Sequence, residues 1–242
     1  MSVAGKKHWE PDPDITEDAL EQMTKDVIDR ITVARVGLLL KHPFFGNMAT
    51  RLKVKAANDW LPTAAVDGRN LYFNAQFFNA MSNAEIEFVI AHEILHCVFD
   101  HLGRRDDRDP KIYNVAADYI VNNVLVRDKI GEKPKLVDCF QDFKYEGWTS
   151  EEVYDDLMEN VVEHIDIDEL GELLDEHLDL ENGDGDGGAP KLSKEEMKEI
   201  RDSIKESMLS AAQAAGAGKV PGEVARLIKQ FTEPKMNWRE IL

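Results

Sequence analysis

Two histidines and a glutamate set into an otherwise apolar helix constrain this chain more than any other feature of its sequence. The stretch is SNAEIEFVIAHEILHCVFDHL, residues 82–102. Ser82 with Glu85 three positions on is a capping-box pattern, and Gly103 stands where such a helix would stop, so one helix is expected over the whole stretch. Ile86, Phe88, Val89, Ile90, Ala91, Ile94, Leu95, Cys97, Val98 and Phe99 cover nearly all of its faces, which predicts a helix buried on most sides. His92 and His96 are one turn apart on one face, and Glu93 lies about 100° round. This is the H-E-x-x-H pattern, in which two imidazoles bind Zn2+ and the glutamate acts on a metal-activated water. An ordinary solvated His/Glu face would serve a surface helix. In an apolar helix, leaving three such groups unsatisfied costs several kcal/mol, and a bound ion with its water satisfies all three.

Two candidates compete for a third ligand. In KIYNVAADYIVNNVLV, Asn114, Asp118 and Asn122 recur every fourth residue, forming a polar strip on a second apolar helix that Asp109-Pro110 should open. Asp118 can reach the ion from another side, with Asn114 and Asn122 as orienting partners, or it can be a satisfied buried carboxylate. His101 is five residues past His96, which turns it about 140° away on a continuous helix, so it could join only if the helix broke early. A metzincin would need its third histidine where Leu102 stands and a glycine where Phe99 stands. Asp118 is the favoured ligand, with His101 read as a residue that supports a ligand from behind or stands at the helix end. Tyr113 and Tyr119 are candidates by position for stabilising an oxyanion, with packing as the plainer role for each.

Around this pair of helices the chain reads as α+β and mainly helical. A long helix starts near Thr16, with Leu20, Met23, Val27, Ile31, Ala34 and Leu38 as its apolar stripe, and stops at Lys41, His42 and Pro43. LKVKAA and TAAVDGRNLYFN read as strands, with Asp67-Gly68 a hairpin signal, so a small antiparallel sheet is expected over the His92/His96 helix. An exposed edge of that sheet could pair with an extended peptide. Ser193 with Glu196 opens a further helix whose stripe is Met197, Ile200, Ile204, Met208 and Ala211. The organisation expected is a flexible lead-in over 1–15, a main domain over 16–180, an acidic glycine-rich linker over 181–191 and a helical extension over 192–242. Within the linker, Asn182, Asp184 and Asp186 faintly trace a calcium loop, but Ser193 occupies the place of the bidentate glutamate. His164 and His177, among carboxylates, read as a solvated face.

Composition narrows the partners. A net charge of −18 over 242 residues argues against nucleic acid and anionic membranes. No apolar run approaches the ~18 residues of a membrane span, and the first residues lack a secretion-signal core, so a cytoplasmic protein is expected. With only Cys97 and Cys139 present, a disulfide framework is not expected, and Cys97 reads as core.

HEILHCVFDHLGRR, YNVAADYIVNNVL, TAAVDGRNLYFN and YEGWTSEEVYDDL together resemble the metallopeptidase domain that precedes a von Willebrand factor A-like domain in bacterial and phage proteins. The similarity runs from about Ile31 to Leu157 and resumes near VPGEVARLIKQFTEPKMNWREIL. It implies a zincin-like fold, a peptide or protein substrate, and a von Willebrand A-like domain beyond Leu242, on a longer chain or a separate one. The function expected is that of a zinc-dependent peptidase with Glu93 as general base. The rival is a non-catalytic zinc-stabilised module that binds a von Willebrand A-like or ATPase partner.

Overall fold

The first helix, α1 (Glu17–Lys41), begins at Thr16, whose hydroxyl accepts from Ala19 N at 3.4 Å, and carries Glu17 and Asp18 at its positive end and Lys41 at its negative end. Its buried residues are Val27, Ile31, Ala34 and Leu38, the inner part of the stripe read from the sequence. The structure, a computed structural model, describes residues 9–160, 192–216 and 218–232. The linker over 181–191 with its calcium-loop pattern, the acidic stretch with His164 and His177, and the last ten residues of the expected helical extension lie outside the described residues. In the lead-in, Trp9 packs its ring 5.8 Å from Phe77, and Asp12 N donates to Gln76 Oε1 at 2.8 Å.

After α2 (Pro43–Ala49) come three short strands, β1 (Lys53–Ala56), β2 (Ala64–Val66) and β3 (Asn70–Phe73). β2 and β3 form the hairpin that Asp67-Gly68 predicts, antiparallel with Ala64 opposite Phe73. Gly68 has φ +85°, and Asp67 Oδ1 accepts from the backbone of Arg69 at 2.8 Å and Asn70 at 2.6 Å, so side chain and glycine close the turn together. The sheet is not wholly antiparallel, however. Its order is β1-β3-β2, and β1 runs parallel to β3, Lys53 opposite Asn70 and Ala56 opposite Phe73. A tight turn dictates only the pair it joins. β2 is buried throughout and packs on the histidine-bearing helix, so the opposite edge of β3 is the one left for β1. The exposed edge of the sheet is therefore β1, and the edge beside the candidate site is covered.

α3 (Ala75–Ala80) is capped by Asn74, and the Arg30 guanidinium of α1 donates to the carbonyls of Phe78, Asn79 and Met81 at its far end. α4 (Asn83–Val98) has the complete capping box, Ser82 and Glu85 each bonding the other's backbone N–H, and every residue from Glu85 to Val98 is buried. It ends earlier than the sequence suggests. Asp100 takes the left-handed conformation, φ 54° and ψ 41°, and a separate turn, α5 (His101–Arg104), follows. Aspartate is one of the few residues with a side chain that enter this region readily, and Asp100 Oδ1 is paired with Arg201 Nε at 3.0 Å.

α6 (Pro110–Arg127) starts as expected at Asp109, which accepts from Lys111 N and Ile112 N, with Pro110 in the first turn. α7 (Ser150–Asn160) packs along α6. α8 (Lys194–Ala215) opens with the second capping box and buries Ile200, Met208 and Ala211 against α2 and α4, with Met197 and Ile204 half-buried. α9 (Gly222–Thr232) is tied to α6 by Glu223, whose two oxygens accept from Arg127 at 2.5 and 2.8 Å. No helix among the described residues is long and apolar enough to cross a membrane.

One loop residue fixes how closely the chain approaches α4. Gly131 has φ +64°, and a Cβ there would lie 2.5 Å from Phe88 N and 2.6 Å from Ala84 O, both backbone atoms. Gly131→Ala is expected to destabilise the protein by more than the about 1–2 kcal/mol that left-handed strain alone costs, because neither neighbour can step aside. Urea unfolding measures it, and an unchanged midpoint would contradict this packing.

Candidate metal centre

α4 and α6 cross with their polar faces toward each other, and three side chains meet between them. His96 Nε2 lies 3.0 Å from His92 Nε2 and 3.2 Å from Asp118 Oδ1, and His92 Nε2 lies 3.5 Å from the same oxygen. His92, His96 and Asp118 are 7 %, 4 % and 7 % exposed. They form a group able to hold a metal ion, and the spacing tests the fit. An ion with four tetrahedral bonds of about 2.0–2.1 Å spreads its donors about 3.3–3.4 Å apart. The three distances bracket that value. Without a cation, three buried polar groups turned on one point would crowd acceptor lone pairs together, so the donor set and its shape fit a small cation. Glu93, next to His92 on α4, is 1 % exposed. A pocket of about 30 Å³ reaches His92 and Asp118 between Phe88, Val89, Pro134 and Val137, room for a water molecule.

The outer nitrogens of both imidazoles are engaged. His92 Nδ1 lies 2.9 Å from Asn122 Oδ1, and Asn122 Nδ2 donates to Phe140 O at 2.9 Å. The Asn122 amide is thereby held with its oxygen toward the histidine, whose Nδ1–H donates and whose Nε2 carries the lone pair. Asn122 orients His92, then, where the sequence pattern had it flanking Asp118; Asn114 is half-buried one turn earlier on α6. His96 Nδ1 lies 3.0 Å from His101 Nδ1, and His101 Nε2 lies 2.9 Å from Ser150 Oγ.

The family described as a "putative metallopeptidase domain" matches residues 27–242. The chain belongs to this family. No curated protein and no solved structure matches it. Metallopeptidase chemistry implies a metal ion, and His92, His96 and Asp118 are the group among the described residues that could hold one. The match extends through α8 and α9, so both helices lie within the span shared by the metallopeptidase family.

Within this family member, the early end of α4 satisfies the condition under which His101 could approach the ion, yet His101 faces the Nδ1 of His96 and not its Nε2. Tyr113 and Tyr119 have packing roles. The Tyr113 hydroxyl donates to Glu151 Oε1 at 3.4 Å, with its phenol pushed up by burial, and Tyr119 packs tilted against Phe140 and edge-on against Tyr145. Cys97 is buried core with its thiol pushed well up by burial and by Glu93, and Cys139 is half-buried. Ser150 was not singled out by any sequence pattern. Nothing local could have paired it with a histidine 49 positions away.

Proposed function

We propose that this chain is a zinc-dependent peptidase. The observation that carries the reading is the triangle of His92 Nε2, His96 Nε2 and Asp118 Oδ1, edges 3.0 to 3.5 Å, buried beside Glu93 in a metallopeptidase-family chain. Two imidazoles and one carboxylate in a near-tetrahedral spacing suit zinc, whereas calcium and magnesium call for six or more mostly oxygen ligands. Zinc held there would supply Lewis acidity, acidifying a water and polarising the scissile carbonyl. Glu93 receives the proton of that water on a carboxylate oxygen and passes it to the leaving amine. His92, held through Nδ1 by Asn122, and His96, held through Nδ1 by His101, would hold the ion through their Nε2 atoms. Asp118 offsets part of the charge brought by the cation.

A second reading, the non-catalytic zinc-stabilised module acting with a von Willebrand A-like or ATPase partner, is favoured by one observation. The four residues are 1 % to 7 % exposed and the neighbouring β2 edge is buried, which suits a staple better than an open cleft. Incubating the purified chain with an unfolded protein substrate, with and without a strong chelator, separates the two. Peptidase activity should stop with the chelator and return with about one equivalent of zinc. If chelation only lowers thermal stability and no preparation ever yields a Glu93-dependent cut, the peptidase reading fails.

A further inference from the structure

On an unbroken helix His101 would stand on a different face of α4 from His96. Asp100, left-handed and held through its carboxylate by Arg201, reverses the chain and brings the His101 ring back under the His96 ring, with centroids 4.9 Å apart and planes at 75°. The polar atoms then form a line from His96 Nδ1 through His101 Nδ1 and Nε2 to Ser150 Oγ, at 3.0 and 2.9 Å. His96, His101 and Ser150 are all buried, at 4 %, 4 % and 2 % exposure.

We propose that His101 and Ser150 are positioning residues for the metal centre, a relay that fixes the tautomer and tilt of His96 so that its Nε2 lone pair faces the ion. This rests on the zinc-site reading above. Two Nδ1 atoms facing each other share one proton. If His96 gives Nε2 to a cation, that nitrogen carries no hydrogen, so the neutral ring keeps its proton on Nδ1 and donates it. His101 Nδ1 must then accept, which leaves the His101 proton on Nε2, donated to Ser150 Oγ. Each tautomer follows from the next, and the line ends on buried Ser150 at the start of α7. The hydroxyl of Ser150 is not consumed by capping that helix. Thr149 and Glu152 do so, Thr149 N donating to Glu152 Oε2 at 2.8 Å and Glu152 N to Thr149 Oγ1 at 3.3 Å. The two ligand histidines are thus oriented by different means, His92 by an amide on α6 and His96 by an imidazole and a hydroxyl contributed from α5 and α7.

The test measures zinc affinity of the full chain by competition with a chromogenic chelator, and the visible spectrum of its cobalt form. Asparagine at position 101 places a carbonyl where His101 Nδ1 lies; glutamine places its amide where Nε2 lies. His101→Ala and His101→Gln should weaken zinc binding about 10- to 100-fold and shift the cobalt bands, while His101→Asn returns both close to the parent values. Ser150→Ala should weaken binding by less than His101→Ala, and Ser150→Thr should restore it. Equal, parent-like affinity in all of these variants overturns the relay. So does complete loss of zinc in His101→Ala that asparagine does not rescue while Ser150→Ala binds normally, because His101 would then be a ligand itself. Should the position-101 variants fail to fold, the Ser150→Ala and Ser150→Thr pair decides alone: weakening with rescue supports the relay, no change overturns it. A parent chain that binds no zinc fails the zinc-site reading first and takes the relay with it.

Discussion

Glu93→Gln is expected to lower peptide cleavage about 10²- to 10⁴-fold while leaving zinc bound and the fold intact, the range that a positioned general base contributes. Glutamine has the shape of glutamate but cannot take up the proton of the attacking water. Glu93 sits in the middle of α4 at 1 % exposure, so the carboxylate is held by packing on every side, and the isosteric amide leaves that packing undisturbed. A neutral amide is also easier to bury than a carboxylate, so the variant should be no less stable than the parent. Cleavage rate, zinc content by atomic emission and thermal midpoint, measured on one preparation, check all three parts. Loss of zinc in this variant would make Glu93 a ligand or an essential structural partner, and the assignment of roles on α4 would fall.

Asp118→Ala is expected to empty the metal centre, taking zinc content from about one ion per chain to near zero after dialysis, since it removes one of three donors and the only anionic one. Asp118 Oδ1 lies 3.2 and 3.5 Å from the two Nε2 atoms, and alanine leaves no donor at that point. The loss should also appear in stability. Zinc at 1,000 times its dissociation constant stabilises a folded chain by about 4 kcal/mol, and this increment should be present in the parent and absent in Asp118→Ala when unfolding is followed with and without added zinc. His101→Ala, by contrast, should retain zinc at reduced affinity. Full retention in Asp118→Ala with loss in His101→Ala would reverse the assignment of the third ligand.

How far these side chains were legible in advance follows from the range of the forces that place them. The His92–His96 pair, the capping boxes at Ser82 and Ser193, the stripe of α1, the start of α6 at Asp109-Pro110 and the hairpin at Asp67-Gly68 each depend on residues within a turn or two of one another. Helical periodicity, end capping and turn chemistry act over that distance, so they are written in the order of the residues. Asp118 as a candidate also came from a local strip, three polar residues spaced by four on an apolar helix.

Other features had no local signal strong enough to carry them. Asp100 can enter the left-handed region, but most aspartates do not; what holds it there includes Arg201, 101 positions away on α8. A helix continued to Leu102 would turn His101 away from His96, and only the break at Asp100 brings the two rings together. β1 joined β3 and not β2 because burial of β2 against α4 left only one edge free, a matter of which surfaces pack and not of strand propensity. Asn122 turned to His92 because Phe140 O holds its amide, and Ser150 reached His101 because α7 packs on α6. The sequence by itself determined which helices form and which side chains are candidates for the chemistry, since those depend on neighbours along the chain. Only the tertiary structure decided where α4 stops, which edge of the sheet is covered and which atoms stand behind the two imidazoles. Those outcomes are settled by contacts between residues that are distant in sequence and become neighbours only when the core closes.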